Sequence, residues 1–387
     1  MKILHVCLAA FYIDNYGYQE NILPKMHKLQ GHVVKILAST ETYLNGNQLS
    51  YIKQGTYINE DGIEVTRLAY TKNIPSLLVR KLRIYSNILK NLNEFKPDLI
   101  FLHDIQFISI FKIIEYLKVN KNVLVYADGH ADFTNSATNW VSKNLLHKLI
   151  YKRCAKAIDP YVIKFYGTLP CRVEFFKNFY KVTKSKTELL PMGVDDTIID
   201  SYNIDELRKK RRKSLGITEN DFLIISGGKL NLKKNIHHLV KSITRINHDK
   251  IKLLLFGKPD VHVKRIIEKL LSHRCILYIN WIDHIQIHEY LLISDLAVFP
   301  GKHSVIWEQA VGCGIPTVFK KIEGHNHVDL GGNCLFVNEG NEEEITEVIL
   351  KIYNDKGLYN KMKKVSIEKG RNYFSYDKIA RRAINND

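Results

Sequence analysis

Apolar residues recur along this chain in two alternating rhythms. Short runs rich in Val, Ile, Leu and Phe read as strands buried on both faces. The longer stretches between them repeat apolar residues at helical spacing. In the first half the strand-like runs are KILHVCL (2–8), VVKILAS (33–39), IEVTRLAY (63–70), DLIFLHD (98–104) and NVLVYAD (122–128), with helical patterns at about 18–30, 76–95 and 106–118. From about 155 to 195 the pattern loosens into an aromatic, basic stretch ending in the turn-rich PMGVDD. A second series follows: FLIISGGKL (222–230), KIKLLLFGK (250–258), CILYINW (275–281), DLAVFP (295–300) and PTVFKK (316–321). Its helices are expected near 234–246, 261–271, 284–293, 304–313 and 341–371, with a last one at about 375–385.

Strand–helix alternation of this kind predicts an α/β chain whose parallel sheets are covered on both faces. The break in the middle predicts two Rossmann-like domains, 1–190 and 191–370, with a hinge near 180–200 and a C-terminal helix (371–387) crossing back to the first domain. No short internal period is present, which excludes solenoids. Two such domains facing one another would turn strand C-termini and helix N-termini toward a shared cleft, a place suited to phosphorylated ligands.

Composition narrows the classes. The chain has 387 residues, 45% apolar and 25% charged, without a low-complexity tract, which excludes a disordered or collagen-like chain. No apolar run approaches the length of a spanning helix. The N-terminal MKILHVCLAAFYID has too short an apolar core for a secretory signal and reads as a first strand. Cys7, Cys154, Cys171, Cys275, Cys313 and Cys334 form no C-x-x-C pair, and several sit in apolar runs. They read as buried free thiols, neither a disulfide framework nor a zinc site, in a cytoplasmic protein. The net charge of +17 attracts polyanions: nucleic acid, anionic lipid headgroups or phosphorylated ligands. Residues 1–180 hold 23 Lys/Arg against 14 Asp/Glu, so the excess is not a basic tail.

Two stretches in the second half carry chemistry. SGGKLNLKKN (226–235) follows an apolar strand and opens a helix. Gly227 and Gly228 permit a tight turn, and Lys229 and Lys234 place positive charge beside a helix N-terminus, an arrangement that suits a diphosphate. The spacing is not that of a P-loop, nor does the first strand lead into G-x-G-x-x-G, so a nicotinamide enzyme is disfavoured. Read alone, it is equally a solvated basic helix start. In PGKHSVIWEQAVGCGIP (300–316) a strand ends at Pro300 and the backbone amides of Ser304 and Val305 open a helix. Glu308, one turn further in, can accept two hydrogen bonds from vicinal ribose hydroxyls. A surface Glu on an ordinary helix is the plain alternative.

The order of these elements resembles the retaining GT-B glycosyltransferases of family 4, the group 1 transferases. The resemblance rests on GGKL-x3-K before a helix, LLLFGK, SDLAVFP, WEQAVGCGIPTV, LLPMGVDD (189–196) and NYFSYDKIA (372–380). It implies a GT-B fold of two facing Rossmann-like domains, with a nucleotide-sugar donor held by the second and the acceptor by the first. It implies Lys229 and Lys234 on the donor diphosphate, with Lys229 standing where the family has Arg, so that charge is kept and the bidentate fork is lost. Glu308 matches the second Glu of the family's E-x7-E signature and so falls to the ribose. Pro300 stands in place of the first, which leaves the sugar hydroxyls to His303 or Ser304.

In the first half, YGYQEN (16–21) resembles the family's Gly-rich loop, with Gly17 placed to let the backbone approach donor phosphate or acceptor; a plain turn glycine is the alternative. DGHAD (128–132) invites a metal reading, but residues at i, i+2 and i+4 of one loop give no assured ligand geometry, and the resemblance implies catalysis without a metal or other cofactor. It implies instead a His near the anomeric centre: His130, with His103 as rival; a structural His satisfied by its neighbours is the plain alternative for either.

The basic surface has an ordinary reading, a helix packed on the sheet with a solvated cationic face, and a sharper one, attachment to anionic lipid. Residues 77–95 wrap as one amphipathic helix with Arg80, Arg83, Asn87 and Lys90 opposite an apolar face, and 133–158 adds Lys143, Lys148, Lys152, Arg153 and Lys156 without an acid. A third cluster is LRKKRRKS (207–214). An anionic membrane surface fits these better than nucleic acid, for which no recognition module is present. The expectation is a retaining hexosyl- or N-acetylhexosaminyl-transferase, peripheral on the inner membrane face. It would pass sugar from a nucleotide sugar to a hydroxyl of a saccharide, lipid-linked acceptor for surface polysaccharide such as capsule or lipopolysaccharide. The alternatives are a catalytically silent GT-B scaffold and a basic nucleic-acid-binding α/β protein.

Overall fold

A computed structural model describes residues 1–44, 48–72 and 74–384; the last residues of the expected terminal helix, 385–387, lie outside the described residues. The chain divides into two units, Met1–Pro191 with Ile379–Asp387, and Met192–Lys378. Each is an α/β unit of Rossmann type.

The strands of the first unit are β1 (Lys2–Cys7), β2 (Val33–Ser39), β3 (Glu41–Leu44), β4 (Gln48–Tyr51), β5 (Gly55–Ile58), β6 (Glu64–Leu68), β7 (Leu99–His103), β8 (Leu124–Gly129), β9 (Lys164–Gly167) and β10 (Thr187–Leu189). Eight of them form one sheet in the order β10-β9-β8-β7-β1-β2-β6-β5, parallel except for β5 against β6, while β3 and β4 make a separate hairpin. Alternation decides the two faces. Leu4, Val6, Ile100, Leu102, Val125 and Ala127 point into an apolar layer with Ile88, Leu92, Ile110, Ile113 and Leu117 from the covering helices. The opposite face carries His5, Phe101, His103, Tyr126 and Asp128, an unusually polar set for a central sheet, and His27 of helix Gln19–Leu29 stacks on His5.

The strands of the second unit are β11 (Phe222–Gly227), β12 (Ile251–Phe256), β13 (Ile276–Ile279), β14 (Leu296–Phe299), β15 (Thr317–Lys320) and β16 (Cys334–Val337). They form an all-parallel sheet in the order β13-β12-β11-β14-β15-β16. Several of its helices start on side-chain caps: Asn203, Asp260 and Asn341 each accept a backbone N–H of the first turn. Asp283 and Gln286 make a reciprocal capping box.

Several expectations need correction. The single helix over 76–95 is two, Ser76–Leu82 and Ile88–Phe95, because residues 84–86 leave the helix to pair with 69–71. Arg83 and Asn87 turn the chain there with positive φ. Tyr85 is thereby buried, whereas Leu77, in the expected helix too, is 76% exposed. The helix over 341–371 is likewise interrupted, at Asp355, which caps a new helix at Lys356–Val365. The loosened region 155–195 contains two strands, β9 and β10, whose shortness hides any alternation. The basic cluster 207–214 is in part internal scaffolding. Arg212 is buried against Asp295 and the Ile293 carbonyl, Arg208 pairs with Asp295, and Arg211 pairs with Glu289.

Candidate active site

In an open parallel sheet, ligands collect where two adjacent strands send their following loops in opposite directions. In the second unit that point lies between β11 and β14. The loop after β11 is 228–235 and the loop after β14 is 300–305, so the two stretches singled out in the sequence meet at one place.

The two loops are locked together by backbone and side-chain bonds. Lys302 N–H donates to the Lys233 carbonyl at 2.7 Å, and the Asn235 side-chain amide donates to the Pro300 and Glu339 carbonyls, each at 3.0 Å. The Lys234 ammonium donates to the carbonyls of Lys302, at 2.7 Å, and His303, at 3.2 Å. Glycine is required where the backbones touch. A Cβ on Gly301 would lie 2.2 Å from the Lys234 carbonyl carbon. Gly257, at φ +117, already presses against the Gly228 carbonyl, which a Cβ would meet at 2.0 Å. Gly228 itself has φ +101 and open space beside it.

Charge at this junction is uneven. Burial, then the neighbouring Lys302 and Lys229, pull the Lys234 ammonium down to about 8. Two of its three N–H groups are used on carbonyls, leaving one for a ligand. Lys229 is exposed and has no ion-pair partner among the described residues. Ser304 and Val305 are half-buried just ahead of helix Ile306–Gly312.

Glu308, in the first turn of that helix, is fully buried. Its Oε1 accepts from His303 Nε2 and His327 Nε2, both at 2.8 Å, and Oε2 lies 3.1 Å from His303 Nε2. Burial by itself pushes this carboxyl up, but the two imidazoles outweigh it and hold it at about 2. In this conformation the carboxylate therefore faces histidines, and His303 is the member of the cluster with exposed surface. One oxygen and two ring nitrogens within 4.8 Å of one another also make a possible metal-ligand set. Contacts of 2.8 Å are those of N–H···O⁻ bonds, and His327 Nδ1 lacks the second partner that orients a metal-bound imidazole. Hydrogen bonding accounts for the cluster as it stands.

In the first unit, His130 follows β8. Its N–H donates to Asp104 Oδ1 at 3.0 Å, and its Nε2 stands 3.6 Å from Asp128 Oδ2 and 3.7 Å from Glu20 Oε1. Burial alone would lower this imidazole, but Glu20 and then Asp128 outweigh it and raise it to about 9, so His130 is a cation at neutral pH. The rival, His103, is wholly buried and donates Nδ1–H to Asp128 Oδ2 at 2.9 Å. Asp132 of DGHAD turns away to Thr134 and Arg172, so the three residues of that loop do not converge. Gly17 lies half-buried in the loop ahead of helix Gln19–Leu29, which also carries Glu20.

Residues 207–369 match the family model described as glycosyl transferases group 1. The second unit is a group 1 glycosyl transferase domain. An uncharacterized glycosyltransferase of Methanocaldococcus jannaschii is 20% identical over 219 residues, covering 54% of this chain and 55% of that protein. The match thus spans about half the length of that curated relative. Among solved structures, a glycosyltransferase from Rickettsia africae aligns with a TM-score of 0.70 at 15% identity, over 99% of this chain and 97% of that one. HepE of Anabaena, solved with UDP and glucose, aligns with a TM-score of 0.68 at 13% identity, over 99% and 98%. At these identities the structures show the fold, two parallel-sheet Rossmann-like domains of GT-B type.

Within the group 1 domain the structure brings Gly228, Lys229, Lys234, His303, Ser304, Val305 and Glu308 to one junction. Sequence reading missed His327, which lies in GHNHVD beyond β15 and joins Glu308 only through tertiary packing. It also passed over Glu20 as a partner of His130 and over the pair His5 and His27. A polar residue inside the otherwise apolar KILHVCL is a usable signal, since a buried imidazole must find partners.

Proposed function

We propose that this protein transfers a sugar, with retention of configuration, from a nucleoside-diphosphate donor to a hydroxyl of a saccharide acceptor. The observation that carries this reading is the β11/β14 junction, where Lys229, one free N–H of Lys234 and the amides ahead of helix Ile306–Gly312 offer positive charge. As the glycosidic bond breaks, negative charge gathers on the departing diphosphate, and groups held in advance at that position stabilise it most. Glu308 serves the nucleotide ribose through His303, whose ring it fixes, and His303 or Ser304 serves the sugar hydroxyls. His130 and Gly17 serve the reacting end from the first unit. The departing phosphate takes the proton of the attacking hydroxyl, and no step draws on a metal. HepE was solved with UDP-glucose, which makes UDP sugars the first donors to try.

The acceptor is read as a lipid-linked saccharide of surface polysaccharide synthesis, with the enzyme peripheral on an anionic membrane. No helix among the described residues is long and apolar enough to cross a membrane. An exposed apolar and basic stretch on the first unit supports this reading. Trp140 is 69% exposed, with Val141, Leu145 and Leu149 exposed beside it and Lys143 and Lys148 on the same helical stretch. Leu77, Leu78, Arg80 and Lys81 form a second exposed apolar and basic stretch on the same unit. Exposed Trp and Leu interleaved with Lys fit a lipid interface.

A thermal-shift panel of UDP, GDP and ADP sugars, followed by transfer assays, tests the reading. A donor that binds the native chain should lose at least about tenfold in affinity on Lys229→Ala, the worth of one charged hydrogen bond. Binding without turnover would favour the silent scaffold, to which the Pro300 in E-x7-E points. Salt-sensitive binding to anionic vesicles, lost in Trp140→Ala/Leu145→Ala, supports the membrane assignment; binding to oligonucleotides instead overturns it.

A further inference from the structure

Three buried histidines on the polar face of the first sheet form an unbranched chain. His103 Nδ1 meets Asp128 Oδ2 at 2.9 Å, and His103 Nε2 meets His5 Nδ1 at 3.0 Å. His5 Nε2 meets His27 Nδ1 at 3.0 Å, and His27 Nε2 meets the Ala380 carbonyl at 2.9 Å. All three rings and Asp128 are wholly buried, with the rings packed around Phe101. Each of these four links is a hydrogen-bond distance, and each needs one proton.

The count does not close with neutral rings. Both ends of the chain, a carboxylate and a carbonyl, are acceptors only, so all four protons must come from imidazoles. Three neutral imidazoles carry three. One extra proton must therefore reside in the chain. Asp128 is a poor place for it, because its oxygens already accept from Gln19 Nε2 at 3.0 Å and from the Asp104 N–H at 3.2 Å, with the His130 cation beside them. His27 and His5 are poor places too, since neither ring bonds a carboxylate, both are wholly buried, and each faces other imidazoles, His32 among them at the outer ring.

We infer that His103 is an imidazolium, held so by the chain His103–His5–His27–Ala380, and that it acts as the positioning residue for Asp128, the carboxylate against which His130 stands. The tautomers follow link by link: His27 and His5 each carry their proton on Nε2, and His103 carries both. The groups facing Asp128 and His130 from neighbouring elements are Gln19 and Glu20 of helix Gln19–Leu29, Asp104 after β7, and His103. The last link ends on helix Tyr376–Ala383. Removing the Ala380 acceptor deletes one bond and with it the need for the fourth proton, so the charge beside Asp128 depends on the seating of that helix. The positioning role rests on the part proposed for His130 in transfer; the proton count does not.

The test is histidine ¹⁵N NMR on the full chain near pH 7.5, with rings assigned by single substitution. The native chain should show His103 protonated on both nitrogens and His5 and His27 as Nε2–H tautomers; a singly protonated His103 overturns the inference. His27→Phe leaves two links and two neutral rings, so His103 should lose its extra proton and His5 should change tautomer. His27→Gln keeps a donor and an acceptor at that place and should restore both, which a merely structural role would not produce. If the Phe variant does not fold, the native and Gln spectra still decide the count. In transfer assays His27→Phe should lower kcat on the order of tenfold with KM little changed, and His27→Gln should recover it. Unchanged kcat alongside an altered His103 overturns the positioning role. His130→Gln without effect on transfer would instead remove the function assigned to His130 and leave the spectra standing.

Discussion

Replacing Glu308 by Gln isolates the charge of a buried carboxylate at nearly constant shape. Glu308 is wholly buried, and burial favours its neutral form, yet His303 and His327 hold it from an ordinary value near 4.5 down to about 2. A depression of that size corresponds to roughly 3 kcal/mol of preference for the ionised over the protonated side chain. Gln resembles the protonated acid, so Glu308→Gln should cost about that much near pH 7. The hydrogen bonds give a similar figure, since two bonds to a charged acceptor weaken to neutral ones at roughly 1–1.5 kcal/mol each. Because the folded value lies below the unfolded one, the contribution is complete above about pH 4.5 and disappears as pH falls toward 2. The stability gap between native and Glu308→Gln chains should therefore be flat from neutral pH down to about 5 and shrink below it. Urea unfolding of both chains, followed by tryptophan fluorescence at stepwise lower pH, measures the gap; Trp307 adjoins Glu308 and stacks on Phe319. A gap under about 1 kcal/mol at pH 7, or one that does not narrow by about pH 3, would refute the assignment of Glu308 as an anion held by two imidazoles.

Three further outcomes follow from the geometry. Affinity for a nucleoside diphosphate should fall as pH rises past about 8, where Lys234 loses its proton, and Lys234→Arg should remove that dependence; titration calorimetry across pH reads it. His130, raised to about 9, contributes stability fully below about pH 6.5 and loses it as pH rises through 9. His130→Gln should therefore flatten the fall in melting temperature over that window. Gly257→Ala should destabilise the second unit by more than about 3 kcal/mol in urea melts, since the Cβ would lie 2.0 Å from the Gly228 carbonyl at a backbone angle that L residues avoid.

The chain's own pattern determined the larger architecture. Runs such as DLIFLHD and DLAVFP are apolar at nearly every position, and only a parallel sheet covered on both faces buries such a run, so two such series specify two α/β units. Gly228, Lys229 and Lys234 were legible because they follow an apolar strand directly and open a helix, a local relation. What depended on contacts far apart in sequence was not legible. Helix propensity and period favoured one helix through Tyr85, yet Tyr85 leaves it to bond Ser109 and bridge Tyr70, partners that exist only once β6 and β7 are in place. Pattern marked Glu308 as one turn into a helix but could not show that His327, nineteen residues on, closes over its carboxylate. The proton chain from Asp128 through His103, His5 and His27 to Ala380 joins three strands, two helices and both ends of the sequence. Periodicity assigns each residue to a face; which polar atoms then satisfy one another on that face is decided only when the sheet order sets β1 beside β7 and β7 beside β8.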